Sequence, residues 1–198
     1  MRKICRLVLL LTLALSVTGC GASIEVEGGV TIAKDGSIIG AVSSVLDKDY
    51  YDKDELKSMI DDEVAAVNSK LGDKSVEVKT YEVAQDGLVT LKLKYKDSQA
   101  YKEFNGTEFY SGDSMTANDT YGLNGNFVAV SNGVIATEDA VVPESSKVVV
   151  VSENMNVSVP SDIVAVTDNV EVTGKQTAAV KLKGADGTTG ELAYIVYK

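Results

Sequence analysis

The second half of the chain is a series of short apolar segments separated by turn residues, and this pattern limits the fold more than any other feature. Residues 148–151 are four consecutive valines, which is typical of a strand buried on both faces. Residues 127–130 and 133–136 flank Ser131-Asn132 and predict a hairpin. Further strand-like segments follow at 156–159, 163–167, 169–172, 178–183 and 191–197. We therefore predict that residues 126–198 form a Val-rich all-β region, arranged as a meander or a sandwich.

One stretch in the first half has the period of an amphipathic helix. Its apolar residues recur at steps of three and four: Leu56, Met59, Ile60, Val64, Val67 and Leu71. Asp52 is a favourable N-cap with Glu55 three residues later, and Gly72 is a typical C-terminal stop. The sequence therefore predicts one well-defined helix between Asp52 and Gly72.

Two hairpins are predicted around this helix. Asp35-Gly36 indicates a tight turn before a strand at 37–46, although Gly40 and Ala41 weaken the prediction of that strand. Segments 76–84 and 88–96 are joined by a turn that ends at Asp86-Gly87, and the second of them alternates apolar residues with Thr and Lys. Such alternation is typical of a sheet with one face in water. The fold class is therefore predicted to be α+β, with one amphipathic helix on an antiparallel sheet, followed by the all-β half.

Residues 107–125 have no apolar period and are rich in Ser, Asn, Asp, Gly and Tyr. Unstructured segments of this length inside compact domains are often functional or disordered. We predict a polar loop or surface hairpin here, which divides the chain into an α+β region at 20–125 and the all-β region at 126–198. The alternative is a ligand loop for sugars or calcium, although its spacing matches no EF-hand. Its candidate ligand-binding residues are Tyr110, Asp113, Asn118, Asp119 and Tyr121.

Composition excludes several kinds of catalytic site. The chain contains no histidine, which excludes Ser-His and Cys-His nucleophile pairs as well as histidine-ligated metal centres. Carboxylate pairs, Tyr or Lys bases and oxygen-ligand calcium or magnesium sites remain available. We expect a protein that is not an enzyme and that uses no cofactor. The net charge of −10 argues against nucleic acid as a partner, because nucleic acid requires Lys/Arg patches.

The first twenty residues have the layout of a secretory signal peptide. Basic residues precede an apolar run at 7–16, which is about half the roughly twenty residues that a membrane-spanning helix needs. Val17-Thr18-Gly19-Cys20 closes the run and resembles the lipobox of bacterial lipoproteins. The resemblance implies that residues 1–19 are removed as a signal peptide and that Cys20 carries diacylglycerol, with palmitate-type chains. Two acyl chains suffice for stable anchoring.

These features together predict a lipid-anchored protein of the bacterial cell membrane that faces the extracytoplasmic side. Its activity is unknown from the sequence, and we expect a non-enzymatic binding or interaction module. The expected partners are the membrane, through the lipid on Cys20, and an envelope protein or glycan. One alternative is a saccharide hydrolase with two carboxylates about 5–10 Å apart. Another is a structural or accessory subunit of an envelope assembly that pairs through an exposed strand edge.

Overall fold

The computed structural model describes residues 28–46, 52–123, 126–182 and 191–198. The described residues contain three helices: α1 (Lys53–Leu71), α2 (Ser98–Asn105) and α3 (Ser114–Tyr121). Helix α1 begins after Asp52, whose carboxylate accepts hydrogen bonds from the backbone N–H groups of Asp54 and Glu55. It ends at Gly72, whose φ of 105° favours glycine. The predicted helix is therefore confirmed, together with both of its terminal signals.

The described strands are β1 (Gly29–Ile32), β2 (Ile38–Val45), β3 (Val76–Val83), β4 (Leu88–Tyr95), β5 (Phe109–Asp113), β6 (Phe127–Ser131), β7 (Val134–Asp139), β8 (Lys147–Val151), β9 (Asn156–Ser158), β10 (Ile163–Thr167), β11 (Val170–Val172), β12 (Thr177–Val180) and β13 (Ala193–Tyr197). They form a seven-stranded sheet in the order β11-β12-β9-β1-β2-β4-β3 and a six-stranded sheet in the order β5-β8-β13-β10-β6-β7. Among the described strand pairs, β1 and β9 are parallel and the others are antiparallel. The predicted α+β fold class is confirmed.

The two sheets share strands from both halves of the chain. Strands β9, β11 and β12 from the C-terminal half extend the sheet that β1–β4 begin, and β5 from the N-terminal half extends the other sheet. The successive strands β9, β10 and β11 therefore alternate between sheets, because β10 pairs with β6 and β13. The described strands of the regions 20–125 and 126–198 are thus interleaved in space.

One large hydrophobic core joins the two sheets. It includes Ile32 and Ile38 of the seven-stranded sheet and Val149, Val151 and Ile195 of the six-stranded sheet. A second cluster lies on the opposite face of the six-stranded sheet, where α3 and the chain around 140–142 cover it. The four valines at 148–151 are completely buried because their strand has a core on each side. This confirms the prediction of a strand that is buried on both faces.

The prediction of a loop at 107–125 is wrong for most of its length. Strand β5 and helix α3 occupy this segment. Strand β5 pairs with β8, with Phe109 opposite Val151, and Phe109 is 1 % exposed. Helix α3 buries Ala117 completely, and the hydroxyl of Ser114 donates to the carbonyls of residues 143 and 144. A polar composition concealed both elements, since only a few apolar side chains of each are buried.

Candidate functional site: an apolar cavity beneath helix α1

A cavity of about 170 Å³ lies between helices α1 and α2 and the inner face of the seven-stranded sheet. Most of its lining side chains are apolar. Helix α1 contributes Leu56 and Ile60, and α2 contributes Tyr101 and Phe104. Asn105 at the end of α2 also lines the cavity. The rest of the wall comes from the seven-stranded sheet, the residue before β1 and the chain after β8: Gly28, Gly29, Val30, Gly40, Ala41, Val42, Ser44, Val89, Leu91, Leu93, Tyr95, Glu153, Asn154 and Met155.

The cavity exists because strand β2 presents small side chains to the helix. Gly40, Val42 and Ser44 pair with Leu93, Leu91 and Val89 of β4, and all six residues line the cavity. Alternate residues of a strand share one face, so these three positions of β2 form a continuous shallow strip. A strand with large side chains at these positions would fill the space.

Helix α1 closes the cavity at one end and leaves space at the other. Near its C-terminus, Val67 is 2 % exposed, and the Asn68 side chain exchanges two hydrogen bonds with the backbone of Val76, at 2.8 and 2.9 Å. Near its N-terminus, Leu56 and Ile60 are only half-buried and line the cavity. The Tyr81 hydroxyl donates to the Lys53 carbonyl at 2.6 Å and connects this end of the helix to β3. The helix is therefore attached to β3 at both ends.

An aromatic cluster forms one wall of the cavity. The ring of Tyr95 lies 4.9 Å from that of Tyr101 and 5.8 Å from that of Phe104, both in edge-to-face geometry. Such contacts stabilise the arrangement beyond the area that they bury. A Cβ atom on Gly40 would lie 3.0 Å from Cε2 of Tyr95, so the absence of a side chain there lets the ring lie against β2. The Tyr95 ring is therefore held between strand β2 and the two aromatic side chains of α2.

The carboxylate of Glu153 is the charged group in the described lining. Glu153 follows the end of β8 by two residues, and its Oε1 accepts hydrogen bonds from the hydroxyls of Tyr101 and Thr107, both at 3.1 Å. Burial raises the pKa of Glu153, and these two hydrogen bonds oppose the rise. Burial, together with the nearby charge of Glu153, also raises the pKa of Tyr101, which therefore remains a proton donor at neutral pH. The ion pairs among the described residues do not include Glu153.

The structure places Tyr110 and Tyr121 together on the opposite face of the six-stranded sheet, and Asp113 lies at the end of the same strand as Tyr110. The rings of Tyr110 and Tyr121 lie 5.8 Å apart, and the Tyr110 hydroxyl donates to the carbonyl of Asp113 at 3.0 Å. The Asp113 carboxylate forms an ion pair of 2.6 Å with Lys147. The Tyr121 hydroxyl donates to Glu108 at 2.6 Å. These side chains therefore already have partners within the protein.

The other two predicted residues are exposed on helix α3. The Asn118 side chain accepts a hydrogen bond of 3.2 Å from the backbone of Leu123 and thus supports the end of the helix, while Asp119 is exposed to solvent. Within the described ranges, no group of three or more acidic or cysteine residues could hold a metal ion. Cys20 and residues 1–19 lie outside the described residues.

Sequence reasoning missed the cavity and Glu153. Two signals were available. The alternation Gly40-Val42-Ser44 on a predicted strand indicates a face with little side-chain volume, whereas the prediction considered only Gly40 and Ala41, as residues that weaken the strand. Glu153 stands two residues after a continuous apolar run, where a carboxylate is placed next to the core. The position of helix α1 over the sheet, which makes both signals meaningful, is not encoded locally.

Comparisons of the chain with protein-family models, with curated proteins and with solved structures found no match. Among the helices in the described part of the chain, none is both long and apolar enough to cross a membrane.

Proposed function

We propose that the chain is a lipid-anchored extracytoplasmic protein of the bacterial cell envelope, with a non-enzymatic binding function, and that the cavity beneath α1 is its binding site. The observation that carries the proposal is a largely apolar cavity with a single carboxylate in its described wall. Apolar pockets with a few placed polar groups are the usual form of small-molecule sites. The lipobox-like Val17-Thr18-Gly19-Cys20 supports the anchor.

The position of the cavity agrees with delivery of a ligand near the membrane. Gly28 lines the cavity and lies eight residues after Cys20, from position 20 to position 28. A chain of eight residues spans at most about 29 Å when fully extended. Lipidation of Cys20 would therefore keep the cavity within roughly one bilayer thickness of the membrane surface. Molecules that concentrate at that surface are the natural candidates for its ligand.

The saccharide hydrolase is less well supported. That mechanism requires two carboxyl groups that flank the bond to be cleaved, one of them protonated. Glu153 has the raised pKa that a general acid needs, but a second carboxylate is absent from the described lining residues. We therefore propose binding rather than catalysis for this cavity.

A role as an accessory subunit has one observation in its favour. Strand β7 lies at an edge of the six-stranded sheet and exposes Val134 and Ile135, at 68 % and 43 % of their surface. An exposed apolar edge can pair with a strand of another chain. Sedimentation of the purified protein at increasing concentrations tests this role, because a monomer at all concentrations excludes self-pairing.

Two measurements test the proposed function. Membrane fractionation of cells that express the wild type or Cys20→Ala tests the anchor, and we expect the variant to leave the membrane fraction with its fold intact. Titration with an environment-sensitive apolar dye tests the cavity, with Val42→Phe as a variant that fills it. Retention of Cys20→Ala in the membrane would refute the anchor, and equal dye binding by both proteins would refute the binding site.

A further inference from the structure

We propose that the cavity selects a small amphiphile with a single ring-sized apolar body and one protonated amine, whose ammonium group binds the carboxylate of Glu153. This inference rests on the proposed binding function and specifies the class of ligand. Three properties of the cavity lead to it, namely its volume, its aromatic wall and the charge of Glu153.

The volume limits the ligand to about one ring. An engineered protein cavity of about 150 Å³, lined by apolar side chains, stays dry and binds benzene. The cavity beneath α1 has about 170 Å³ and therefore accommodates a benzene-sized group with a short extension. Membrane lipids with two long acyl chains are far larger than this volume, so the space suits a small molecule rather than a whole lipid.

The wall favours an aromatic or cyclic body. Tyr95, Tyr101 and Phe104 contribute ring surfaces to the lining, together with aliphatic side chains such as Leu56, Ile60 and Leu91. A ring in this space can make edge-to-face contacts with the aromatic side chains.

Glu153 determines the polar group of the ligand. Its Oε1 accepts the hydrogen bonds from Tyr101 and Thr107, whereas no described residue donates to its Oε2. An ionised carboxylate has about four acceptor positions, and an ammonium group has three donors. The described residues that contact Glu153 supply neutral hydroxyls rather than a cation, so the buried charge is only partly compensated. A ligand amine supplies the missing positive charge, whereas a ligand carboxylate would be repelled.

Three probes of nearly equal size test the inference by calorimetric titration of the processed chain, residues 20–198, which retains every described element. They are 2-phenylethylamine, 2-phenylethanol and phenylacetate. Charged hydrogen bonds of this type change affinity by roughly tenfold or more. We therefore expect 2-phenylethylamine to bind at least about tenfold more tightly than 2-phenylethanol, and phenylacetate to bind most weakly.

Glu153→Gln is the decisive variant. Its amide oxygen can still accept from Tyr101 and Thr107, so the fold is preserved while the charge is removed. We expect this variant to lose the preference for the amine and to bind 2-phenylethanol as the wild type does, within about twofold. Glu82→Gln is the matched control, because Glu82 is exposed on β3 and is absent from the cavity lining.

The outcomes separate this inference from the proposed function. Equal affinity of the wild type for the amine and the alcohol refutes the selection of amines but leaves a binding cavity. The same holds if Glu153→Gln retains the preference or if Glu82→Gln removes it. Absence of binding by all three probes refutes the proposed ligand and the proposed binding site together.

Discussion

Gly29→Ala should destabilise the protein strongly, although the neighbouring Gly28→Ala should not. A Cβ atom on Gly29 would lie 2.6 Å from the backbone oxygen of Asn156, in the parallel partner strand β9. Side-chain Cβ atoms practically never come closer than 3.0 Å, so at least 0.4 Å of separation must be gained. The obstacle is backbone, which cannot rotate away as a side chain can. No described atom lies within 4 Å of a Cβ at Gly28.

The size of the effect follows from the contacts that the movement disturbs. Overpacking of this kind costs about 1–3 kcal/mol. Displacement of β9 also weakens its ladder with β1, in which three residue pairs are in register, and each lost hydrogen bond costs about 0.5–1.5 kcal/mol. We therefore expect a loss of about 2–4 kcal/mol in the free energy of unfolding, which lowers the Tm by roughly 5–15 °C for a chain of this length. For Gly28→Ala we expect no loss, or a gain of up to about 1 kcal/mol from the reduced freedom of the unfolded chain.

Urea unfolding followed by circular dichroism measures both variants against the wild type. An equal m-value in the three proteins would show that the midpoint shifts reflect the stability of one folded state. A loss of less than about 1 kcal/mol for Gly29→Ala would contradict this expectation, because it would mean that the backbone of β9 moves aside at little cost. An equal loss for Gly28→Ala would contradict it as well.

Two further predictions concern helix α1 and Glu153. Asn68→Ala leaves the backbone N–H and C=O of the buried Val76 without their side-chain partner. We expect it to lower the free energy of unfolding by about 2–4 kcal/mol and to speed amide hydrogen exchange at Val76. Unchanged exchange at Val76 would contradict the attachment of α1 to β3 through Asn68. Burial raises the pKa of Glu153 in the folded protein above its ordinary value of 4.5, so the folded state binds this proton more tightly and stability falls as the pH rises through the folded pKa. Glu153→Gln should therefore be more stable than the wild type at pH 7, and this advantage should vanish below the ordinary carboxyl pKa of 4.5. Urea unfolding at pH 7 and below pH 4.5 measures the difference. An equal advantage at both pH values would contradict the raised pKa of Glu153 in the folded protein.

Features with local causes were predictable from the sequence. The turns at Asp35-Gly36 and Asp86-Gly87 were predicted because these dipeptides adopt positive φ easily, and Gly36 and Gly87 have φ values of 83° and 82°. Helix α1 was predicted because its period, N-cap and terminal glycine agree with one another. In each case a few neighbouring residues determine the backbone conformation.

Features that depend on distant partners could not be predicted. Strand β5 forms because β8 lies beside it, and the sequence Phe109-Tyr110-Ser111-Gly112-Asp113 has no strong strand signal of its own. The assignment of successive strands to different sheets depends in the same way on pairing across the whole chain. The cavity depends on the distance between α1 and β2, which is set by tertiary packing. For that reason Glu153 was missed, and the candidate ligand residues were sought in the polar segment 107–125 instead.

The parallel pairing of β1 with β9 has a consequence for the order in which the protein folds. Gly29 pairs with Asn156, so β1 must wait for a partner strand that lies 127 positions later in the chain. Pairings over such distances are slow because the entropy of closing the intervening loop is lost before the contacts form. During synthesis, the hairpin of β1 and β2 can form early while one edge of β1 stays open. We therefore expect a slow final folding phase, in which β9 docks and the seven-stranded sheet becomes continuous.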